Sequence, residues 1–430
     1  MTFQPVYIID GARSPFIKAR NAPGPFSASD LAVQSARALL LRQKFDATRL
    51  SEVILGCAAP SPDETNIGRV AALRLGCGNG VPGWTVMRNC ASGMQAIDSA
   101  IANIQTLRSD LVLAGGVDAL SRAPLLFSDD MVHWLARWNA ARSMREKWTA
   151  LGQLRLTMLK PVIGLLKGLT DPVVGLSMGQ TAEEVAHRFG VTREEMDRYA
   201  NESHARAARR DPQGMESIVP VVSAGGQVFS EDDGIRPDSS IEKLAKLKPV
   251  FDKPYGNITA GNSSQVTDGA AWLLLASEQA VHELGLRPVG RIVDAQWAGL
   301  DPAQMGLGPV HAATPILTRH GLGLNDIDLW EINEAFAAQV LGCLRAWEDE
   351  AYCQTHLGRS ALGRLESSRL NVNGGAIALG HPVGASGARI ILHLLHALRH
   401  RQLKRGMAAI CIGGGQGGAM LIENLEGTPS

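Results

Sequence analysis

The sequence repeats one pattern of secondary structure at two distant places in its 430 residues. A strand, a helix and a second strand are predicted at 6–10, 29–41 and 53–57, and again at 290–294, 312–320 and 329–333. Each block is followed by a helix that opens with a Ser-Gly pair and leads into a strand ending in glycines, at 92–116 and 386–414. Alternating strands and helices predict α/β layers with mostly parallel strands. Two copies indicate two similar halves packed face to face, and the period is too long for a solenoid.

The stretch between the two copies has a different character. It is irregular from about 121 to 264, although 181–210 contains a clear pair of helices, with Thr192 and Glu195 placed as a capping box. We therefore divide the chain into an N-terminal half, 1–120, completed by about 265–286; an inserted loop domain, 121–264; and a C-terminal half, 287–430.

The first part of the inserted domain, 128–170, is rich in basic and aromatic side chains. From Arg137 to Lys167 there are seven Lys and Arg residues against one acid, Glu146, and tryptophans lie nearby at 134, 138 and 148. This pattern predicts basic amphipathic helices. One interpretation is a solvated helical lid, or a helix packed on a partner subunit; the other is peripheral contact with a membrane surface.

Composition excludes several classes of function. Lys plus Arg and Asp plus Glu are balanced at 42 each, which gives no global reason to expect a nucleic-acid partner. No apolar run of 18 residues predicts a membrane span, and no Cys-x-x-Cys among the six cysteines predicts a zinc or redox site. The sequence enters a strand near residue 6 without a charged and apolar leader. We therefore expect no signal peptide, no disulfide framework and a cytoplasmic location.

Cys90 is the first candidate for chemistry. A strand is predicted to end near Met87 and a helix to begin near Ser92, which places the thiol at a helix N-terminus. The helix dipole and the free amides there favour the thiolate over the thiol. The alternative is a buried structural cysteine, which is what most free cysteines are.

His381 and Asn333 are two further candidates. His381 lies among glycines just before a predicted helix, where a substrate can approach the backbone closely and an imidazole can act as a base near neutral pH. Asn333 lies where a predicted strand turns into a helix. Taken alone, each residue would be interpreted as a helix cap.

Cys411 is the fourth candidate. A strand delivers this thiol to a glycine-rich turn, 413–418, whose amides are suited to bind an oxyanion. The turn also fits the pattern Gly-x-Gly-x-x-Gly. Residues 419–422 predict a strand rather than a helix, however, and only 12 residues follow Gly418, so no βαβ unit fits and a dinucleotide site is rejected.

Together these four segments resemble the thiolase family over nearly the whole chain. The runs that carry the resemblance are Asn-Cys-Ala-Ser-Gly at Cys90, Asn-Glu-Ala-Phe at Asn333, Gly-His-Pro-Val-Gly-Ala-Ser-Gly at His381 and Cys-Ile-Gly-Gly-Gly at Cys411, in the family's order and approximate spacing. Residues 260–270 and 178–183 resemble its CoA-facing segments. The basic insert is similar to that of thiolase subunits in membrane-associated β-oxidation complexes.

Two positions depart from what thiolases commonly carry, and a third bears on the subfamily. Met87 stands where many of them have asparagine, and Ser177 where many have histidine. Asn333 stands where the subunits of β-oxidation complexes often have histidine. The resemblance nevertheless implies the thiolase-like α/β fold, two similar αβα halves in five layers (αβαβα) with an inserted loop domain.

The resemblance also implies a role for each candidate. His381 takes the proton of Cys90, and the thiolate attacks an acyl-CoA thioester to form an S-acyl enzyme. Cys411 moves the α-proton of acetyl-CoA, and a water held by Asn333 stabilises the enolate oxygen together with His381. The residues implied for binding are the amides of Cys90 and Gly413, as a second oxyanion hole, and Arg236, Ala260, Ser264 and Ala335, as contacts of CoA.

The implied enzyme cleaves a 3-ketoacyl-CoA with CoA, or runs the reverse condensation of acetyl-CoA. CoA is a substrate, the thioester supplies the activation, and no cofactor or metal is implied. The implied partners are further copies of the chain, in a homodimer or homotetramer, and a hydratase/dehydrogenase subunit of β-oxidation.

Two other functions are alternatives to thiolase activity. The first is a decarboxylating ketoacyl synthase, against which Cys411 argues. The second is a lipid carrier or scaffold without catalysis, which need not retain all four polar residues.

Overall fold

The computed structural model describes residues 4–20, 22–209 and 217–426. In chain order the strands are β1 (Val6–Arg13), β2 (Ile17–Lys18), β3 (Glu52–Gly56), β4 (Gly83–Val86), β5 (Leu111–Ala119), β6 (Leu125–Leu126), β7 (Val162–Ile163), β8 (Val221–Val222), β9 (Val228–Phe229), β10 (Thr267–Ala276), β11 (Gly290–Gly299), β12 (Leu329–Ile332), β13 (Arg405–Ile412) and β14 (Gln416–Asn424).

The α-helices, in chain order, are α1 (Ala28–Leu41), α2 (Ile67–Arg74), α3 (Ser92–Gln105), α4 (Asp129–Ala140), α5 (Met144–Gly152), α6 (Gly164–Gly168), α7 (Met178–Arg188), α8 (Arg193–Arg209), α9 (Ile241–Ala245), α10 (Glu278–Leu284), α11 (Gly308–His320), α12 (Ala337–Glu348), α13 (Glu350–Tyr352), α14 (Ala376–Leu379) and α15 (Val383–His400). Short 3₁₀ turns lie at 47–49, 62–64, 120–122, 156–159, 302–307, 324–326 and 367–369, and a π-helical turn lies at 353–357.

The elements predicted from the repeat are present, with their ends shifted by a few residues. Helix α3 begins at Ser92 as expected, whereas α15 already begins at Val383, so the second Ser-Gly pair lies inside its helix. The predicted capping box precedes α8. The Thr192 amide donates to Glu195 Oε2 (2.8 Å), and the Glu195 amide donates to Thr192 Oγ1 (3.3 Å).

One mixed sheet connects the two halves. Within the described residues its order is β12–β13–β14–β11–β1–β10–β5–β3–β4, with β2 beside β10. At its centre β1 meets β11 over only three residue pairs, Val6–Ile292, Tyr7–Arg291 and Ile8–Gly290. This short junction joins the sheet of the C-terminal half, which is built from β11 to β14, to the sheet of the N-terminal half.

The prediction of mostly parallel strands was wrong. In the described sheet the parallel pairs are β3–β4, β3–β5 and β12–β13. Strand β10 is antiparallel to both β1 and β5, and β13 and β14 form an antiparallel hairpin. The reason is that β14 follows β13 through a tight turn and β10 returns from the inserted domain, so neither strand needs the helical crossover that joins parallel neighbours.

Strand β10 shows how each sheet separates two cores. Its side chains alternate between the two faces of the sheet, as the pleat requires. Trp272 and Leu274 belong to the core beneath α1, whereas Leu273 and Leu275 belong to the core around α3 and α15. Because both faces are apolar, the strand reads as a continuous hydrophobic run rather than as an alternating one.

The layers follow from these cores. Helices α3 and α15 pack against each other and lie between the two sheets. Helices α1 and α2 cover the outer face of the N-terminal sheet, and α11 covers that of the C-terminal sheet, with α12 packed beside it. The result is the expected order of helix, sheet, helix, sheet and helix.

Two glycines allow the central helices to approach closely. A Cβ added at Gly93 of α3 would lie 2.8 Å from the carbonyl oxygen of Gly384, and one added at Gly387 of α15 would lie 2.6 Å from the amide nitrogen of Met94. Both distances are too short for a real Cβ atom. The helices α3 and α15 therefore fix the relative position of the two halves at their N-terminal ends.

The basic insert forms the predicted helices, α4 and α5, on the surface. They enclose a small core of their own around Met131, Trp134 and Met158, in which Trp134 stacks on Trp138 at a centroid distance of 5.6 Å. Other apolar side chains of this segment are exposed, Trp148 among them. In the described part of the chain, no helix has the length and apolar character needed to cross a membrane.

Candidate active site

A tight turn between β4 and α3 presents Cys90. Asn89 adopts a positive φ of 43°, a conformation that asparagine tolerates better than most residues, and its side chain donates to the carbonyl oxygen of Gly413 (2.8 Å). Ser92 Oγ accepts from the amide of Arg88 (2.9 Å) and donates to the carbonyl of Asn89 (2.7 Å). These contacts hold the half-buried Cys90 immediately before the first turn of α3.

Burial decides the protonation of Cys90. It raises the pKa of this thiol to about 11, although hydrogen bonds from the amides of Gly413 and of Cys90 itself act in the opposite direction. The carboxylate of Asp118 adds to the increase. In the free protein the thiol is therefore protonated at neutral pH. The expectation that the helix N-terminus would favour the thiolate was wrong for this state, because desolvation outweighs the amides.

Cys411 lies at the end of β13, before the hairpin to β14. Gly414 and Gly415 have φ of 92° and 71°, so the turn requires residues without a Cβ at these two positions. Burial raises the pKa of the Cys411 thiol well above its ordinary value, and the negative charge that Cys90 can carry is the next largest cause. The two thiols thus belong to one electrostatic site.

His381 has a defined tautomer. Its Nδ1 lies 2.6 Å from Ser386 Oγ, and the Ser386 hydroxyl donates its proton to the carbonyl of Pro382 (3.1 Å). Nδ1 must then carry the hydrogen, which leaves Nε2 as an acceptor. Nε2 is buried and has no partner in the described residues. Burial, and after it the charge of Arg389, lowers the pKa of His381 to about 3, so the imidazole is neutral.

Asn333 follows β12 but does not cap α12, which begins only at Ala337 after the N-cap residue Phe336. Its backbone N–H donates to the carbonyl of Ala409 (2.9 Å), and its side-chain Oδ1 accepts from Arg389 Nη2 (3.3 Å). Its Nδ2 is buried and without a partner in the described residues. The site therefore contains an unused acceptor on His381 and an unused donor on Asn333.

A cavity of about 510 Å³ opens beside Cys90. Cys90, Asn89, Gly413 and Met178 line it, together with many residues of the inserted domain. Its apolar wall includes Leu120 and, from the inserted domain, Leu126, Leu165, Leu169 and Val173. His381, Asn333 and Cys411 are buried and do not belong to this lining, whereas Cys90 does.

The four residues predicted to contact CoA do not line this cavity. Ser264 and Ala335 are joined by a hydrogen bond from the amide of Ser264 to the carbonyl of Ala335 (2.9 Å). Ala260 is exposed on the turn before them, and Arg236 is exposed elsewhere, where its charge and those of Lys18 and Asp238 act on the pKa of His204. The structure thus places these residues outside the cavity, with Arg236 and Ala260 exposed, Ser264 half-buried and Ala335 buried.

Sequence reasoning missed several buried polar groups around the site. Asp118 accepts from the amides of Ala58 (3.2 Å), Ala59 (2.9 Å) and Gly384 (2.5 Å), and so links the cavity wall to the start of α15. Arg389 forms an ion pair with Glu331 in the interior. A signal was available, because Arg389 and Glu331 are charged residues inside a helix and a strand that are otherwise predicted to be apolar.

Comparison with known families matches both halves of the chain. The family described as "Thiolase, N-terminal domain" matches residues 6–279, and "Thiolase, C-terminal domain" matches residues 286–424. The mitochondrial trifunctional enzyme subunit beta of Bos taurus is 34% identical over 421 residues, which are 97% of this chain and 88% of that protein. The beta-ketoadipyl-CoA thiolase of Pseudomonas aeruginosa is 39% identical over 427 residues, 98% of this chain and 99% of that protein.

Solved structures agree with these matches. The acetyl-CoA acetyltransferase of Bacillus anthracis superposes with a TM-score of 0.85 at 37% identity, covering 98% of this chain and 99% of that one. The human mitochondrial 3-ketoacyl-CoA thiolase in complex with CoA superposes with a TM-score of 0.83 at 36% identity, covering 98% of each chain.

Proposed function

This chain belongs to the thiolase family and is an acyltransferase, and from that premise we propose how its residues perform the reaction. The observation that carries the proposal is the pair of buried, unused groups, His381 Nε2 and Asn333 Nδ2, together with two thiols, Cys90 and Cys411, that interact electrostatically with each other. A buried polar group without a partner is rare in proteins and calls for a ligand, a water or a reacting atom.

In the cleavage direction Cys90 is the nucleophile. His381 Nε2 accepts the proton of Cys90 as the sulfur attacks the 3-keto carbon of a 3-ketoacyl-CoA. The bond between C2 and C3 then breaks, the acyl group stays on the sulfur, and Cys411 gives a proton to the departing acetyl-CoA. A CoA thiol next gives its proton to the Cys411 thiolate and attacks the S-acyl enzyme, and the shortened acyl-CoA leaves as Cys90 takes its proton back from His381.

The protonation states of Cys90 and His381 in the free site suit a proton transfer that occurs only when substrate is bound. The pKa of Cys90 is about 11 and that of His381 is about 3, so the thiol and the imidazole are both neutral in the free enzyme. The amides of Cys90 and Gly413 already donate to the sulfur. We assign them to the oxyanion of the tetrahedral intermediate, and Asn333, through a water, with His381 to the enolate oxygen.

The apolar wall of the cavity indicates the acyl group. Leu126, Leu165 and Leu169 line the same cavity as Cys90, and their side chains offer no hydrogen bonds to a substrate. We assign this wall to the chain beyond the keto group, so substrates longer than acetoacetyl-CoA are accepted. Each methylene buried there contributes about 0.8 kcal/mol, or roughly fourfold in affinity.

The CoA contacts remain Arg236, Ala260, Ser264 and Ala335. Burial lowers the pKa of Lys18, and the charges of Arg236 and Arg20 lower it further, so these three cations lie close together near the surface. Such a cluster suits the phosphates of the CoA nucleotide. The human 3-ketoacyl-CoA thiolase of similar fold was solved with CoA, which supports the assignment of CoA as substrate here.

The likeness to the subunit beta of a trifunctional enzyme supports a different subunit as a partner, which we assign as a hydratase/dehydrogenase subunit. The homodimer or homotetramer stays a prediction from the family resemblance. For the basic insert, the structure favours the lid interpretation over membrane contact, because residues from 164 to 173 line the cavity. Failure of anionic vesicles to retain the protein at low salt would remove the membrane interpretation.

The test of the proposed function is CoA-dependent cleavage of 3-ketoacyl-CoAs from C4 to C16. We expect cleavage across several lengths, and its loss at every length in Cys90→Ala. Activity confined to C4 would refute the assignment of the apolar wall, and cleavage by Cys90→Ala would refute the catalytic assignment.

A further inference from the structure

A buried ion pair lies directly behind the candidate site. Arg389 of α15 is fully buried, and its guanidinium pairs with the carboxylate of Glu331 on β12, which is 3% exposed. His393, one turn further along α15, lies 3.4 Å from Arg389 Nη1 and 3.5 Å from Glu331. Replacing such a pair by apolar residues is often neutral or stabilising. Packing alone therefore does not account for these charges.

The contact of Arg389 with Asn333 has only one possible polarity. A guanidinium is solely a donor, so Arg389 Nη2 can bond only to the amide oxygen of Asn333 and never to its NH₂ group. The backbone of Asn333 is fixed separately by its bond to Ala409. With Oδ1 held toward Arg389, the NH₂ group faces the opposite way, and that group has no partner in the described residues.

We propose that Arg389, held in place by Glu331, is a positioning residue for Asn333 and His381. It fixes the side-chain amide of Asn333 so that the NH₂ group is available to the reaction centre, and it places a positive charge beside His381. The inference rests on the proposed function, since it assigns a role through Asn333 and His381. Arg389 itself contacts neither the substrate nor the reacting atoms.

The charge of Arg389 acts on His381 in a definite direction. Burial is the first cause that lowers the pKa of His381, and Arg389 is the second. The other titratable groups near this site are Glu331 and Glu334 beside β12, His393 on α15, Asp118 on β5 and the thiols of Cys90 and Cys411. Removing the cation would make the imidazolium easier to form, so the base form of His381 would be lost at a higher pH.

The experiment removes both charges at once with Arg389→Met/Glu331→Gln, which leaves no unpaired buried ion. We expect kcat for cleavage of acetoacetyl-CoA to fall about 100-fold, because the amide of Asn333 loses its fixed orientation. KM should change little, and the acid limb of the kcat profile should move up by about one pH unit. The readout is kcat and KM from pH 3 to 9, because the pKa of His381, about 3, places the acid limb below pH 5.

Arg389→Lys separates the two effects and serves as the second variant if the double variant does not fold. Lysine keeps the charge but lacks the planar fork that reaches Glu331 and Asn333 together. We therefore expect its kcat to fall while its acid limb stays where the wild-type limb is. The matched control is Arg399→Met/Glu426→Gln, which removes a half-exposed ion pair from the other end of the same helix.

Three outcomes decide the matter. A kcat within threefold of wild type in both Arg389 variants would overturn the inference. A loss of kcat equal to that of the Arg399 control would also overturn it, since it would report only damage to α15. Cleavage retained by Cys90→Ala would instead sink the proposed function itself, which keeps the two failures distinguishable.

Discussion

The two central helices occupy matching places in the two halves yet bury different chemistry. Helix α3 starts two residues after Cys90, and α15 starts two residues after His381. The buried face of α3 consists of small and apolar residues, whereas α15 buries Arg389 and His393 among its apolar residues. The first helix thus supports a nucleophile with small and apolar residues, and the second supports a base with a buried face that includes the charged Arg389.

This difference shows how a repeated fold divides the work of one site. The pKa of Cys90 is set by burial, by the amide of its own turn and by the amide of Gly413 in the hairpin after β13. The pKa of His381 is set by burial and by the charge of Arg389, which lies further along the helix that follows it. A nucleophile needs access, and half-burial at the cavity gives it; a base that must stay neutral needs desolvation and a nearby cation.

Replacing Cys90, which precedes α3, should have the largest effect on activity. In Cys90→Ala no S-acyl enzyme can form, so cleavage should fall by about 10⁴-fold or more. Mass spectrometry of the wild-type enzyme mixed with substrate should show an acyl adduct on the peptide containing Cys90. An adduct on another cysteine would mean that Cys90 is not the nucleophile, and the contrast between α3 and α15 would not hold.

Replacing His381, which precedes α15, should reduce the activity less. His381→Asn keeps a polar group of similar size but cannot take a proton, so we expect a loss of about 10²–10⁴-fold in kcat. The S-acyl enzyme should still accumulate slowly in single-turnover experiments. A loss no larger than threefold would mean that another group deprotonates Cys90.

The pH dependence of Cys90 tests the electrostatic half of the comparison. Its raised pKa, about 11, means that the thiolate fraction increases about tenfold per pH unit through the neutral and mildly alkaline range. The rate of alkylation by iodoacetamide in the free enzyme should therefore rise steadily from pH 7 to pH 10. A plateau near pH 7 would indicate a preformed thiolate–imidazolium pair.

Substitutions at the close contact between α3 and α15 should have the smallest effect, which is on the stability of the fold. Gly93→Ala and Gly387→Ala each insert a methyl group against backbone of the facing helix, which should destabilise the fold by about 1–3 kcal/mol. Gly152→Ala in α5 is the matched control, since nothing lies within 4 Å of the added Cβ. Thermal unfolding measures both, and equal melting temperatures in the three variants would show that the central contact is not tight.

Sequence reasoning identified what is local and missed what is long-range. The strands, the paired halves and the capping box at Thr192 follow from periodicity and side-chain chemistry that neighbours in sequence share. The antiparallel placement of β10 did not follow, because its partners β1 and β5 lie more than a hundred residues away. No pattern in a single strand specifies which edge it joins.

The candidate site divides in the same way. Cys90, His381, Cys411 and Asn333 stand in motifs, so the sequence indicates them. Their tuning does not: burial of Cys90 reverses the expected effect of the helix N-terminus, and the contact between Arg389 and Asn333 joins residues 56 positions apart. Such contacts can be inferred only once the fold is known.

The position of β10 has a consequence for synthesis on the ribosome. This strand lies between β1 and β5, yet it is made only after the whole inserted domain. Until Ala276 has left the exit tunnel, β1 and β5 each lack this neighbour, and unpaired strand edges recruit other chains. The interval between the synthesis of β5 and that of β10 is therefore a period in which the nascent chain is prone to aggregation.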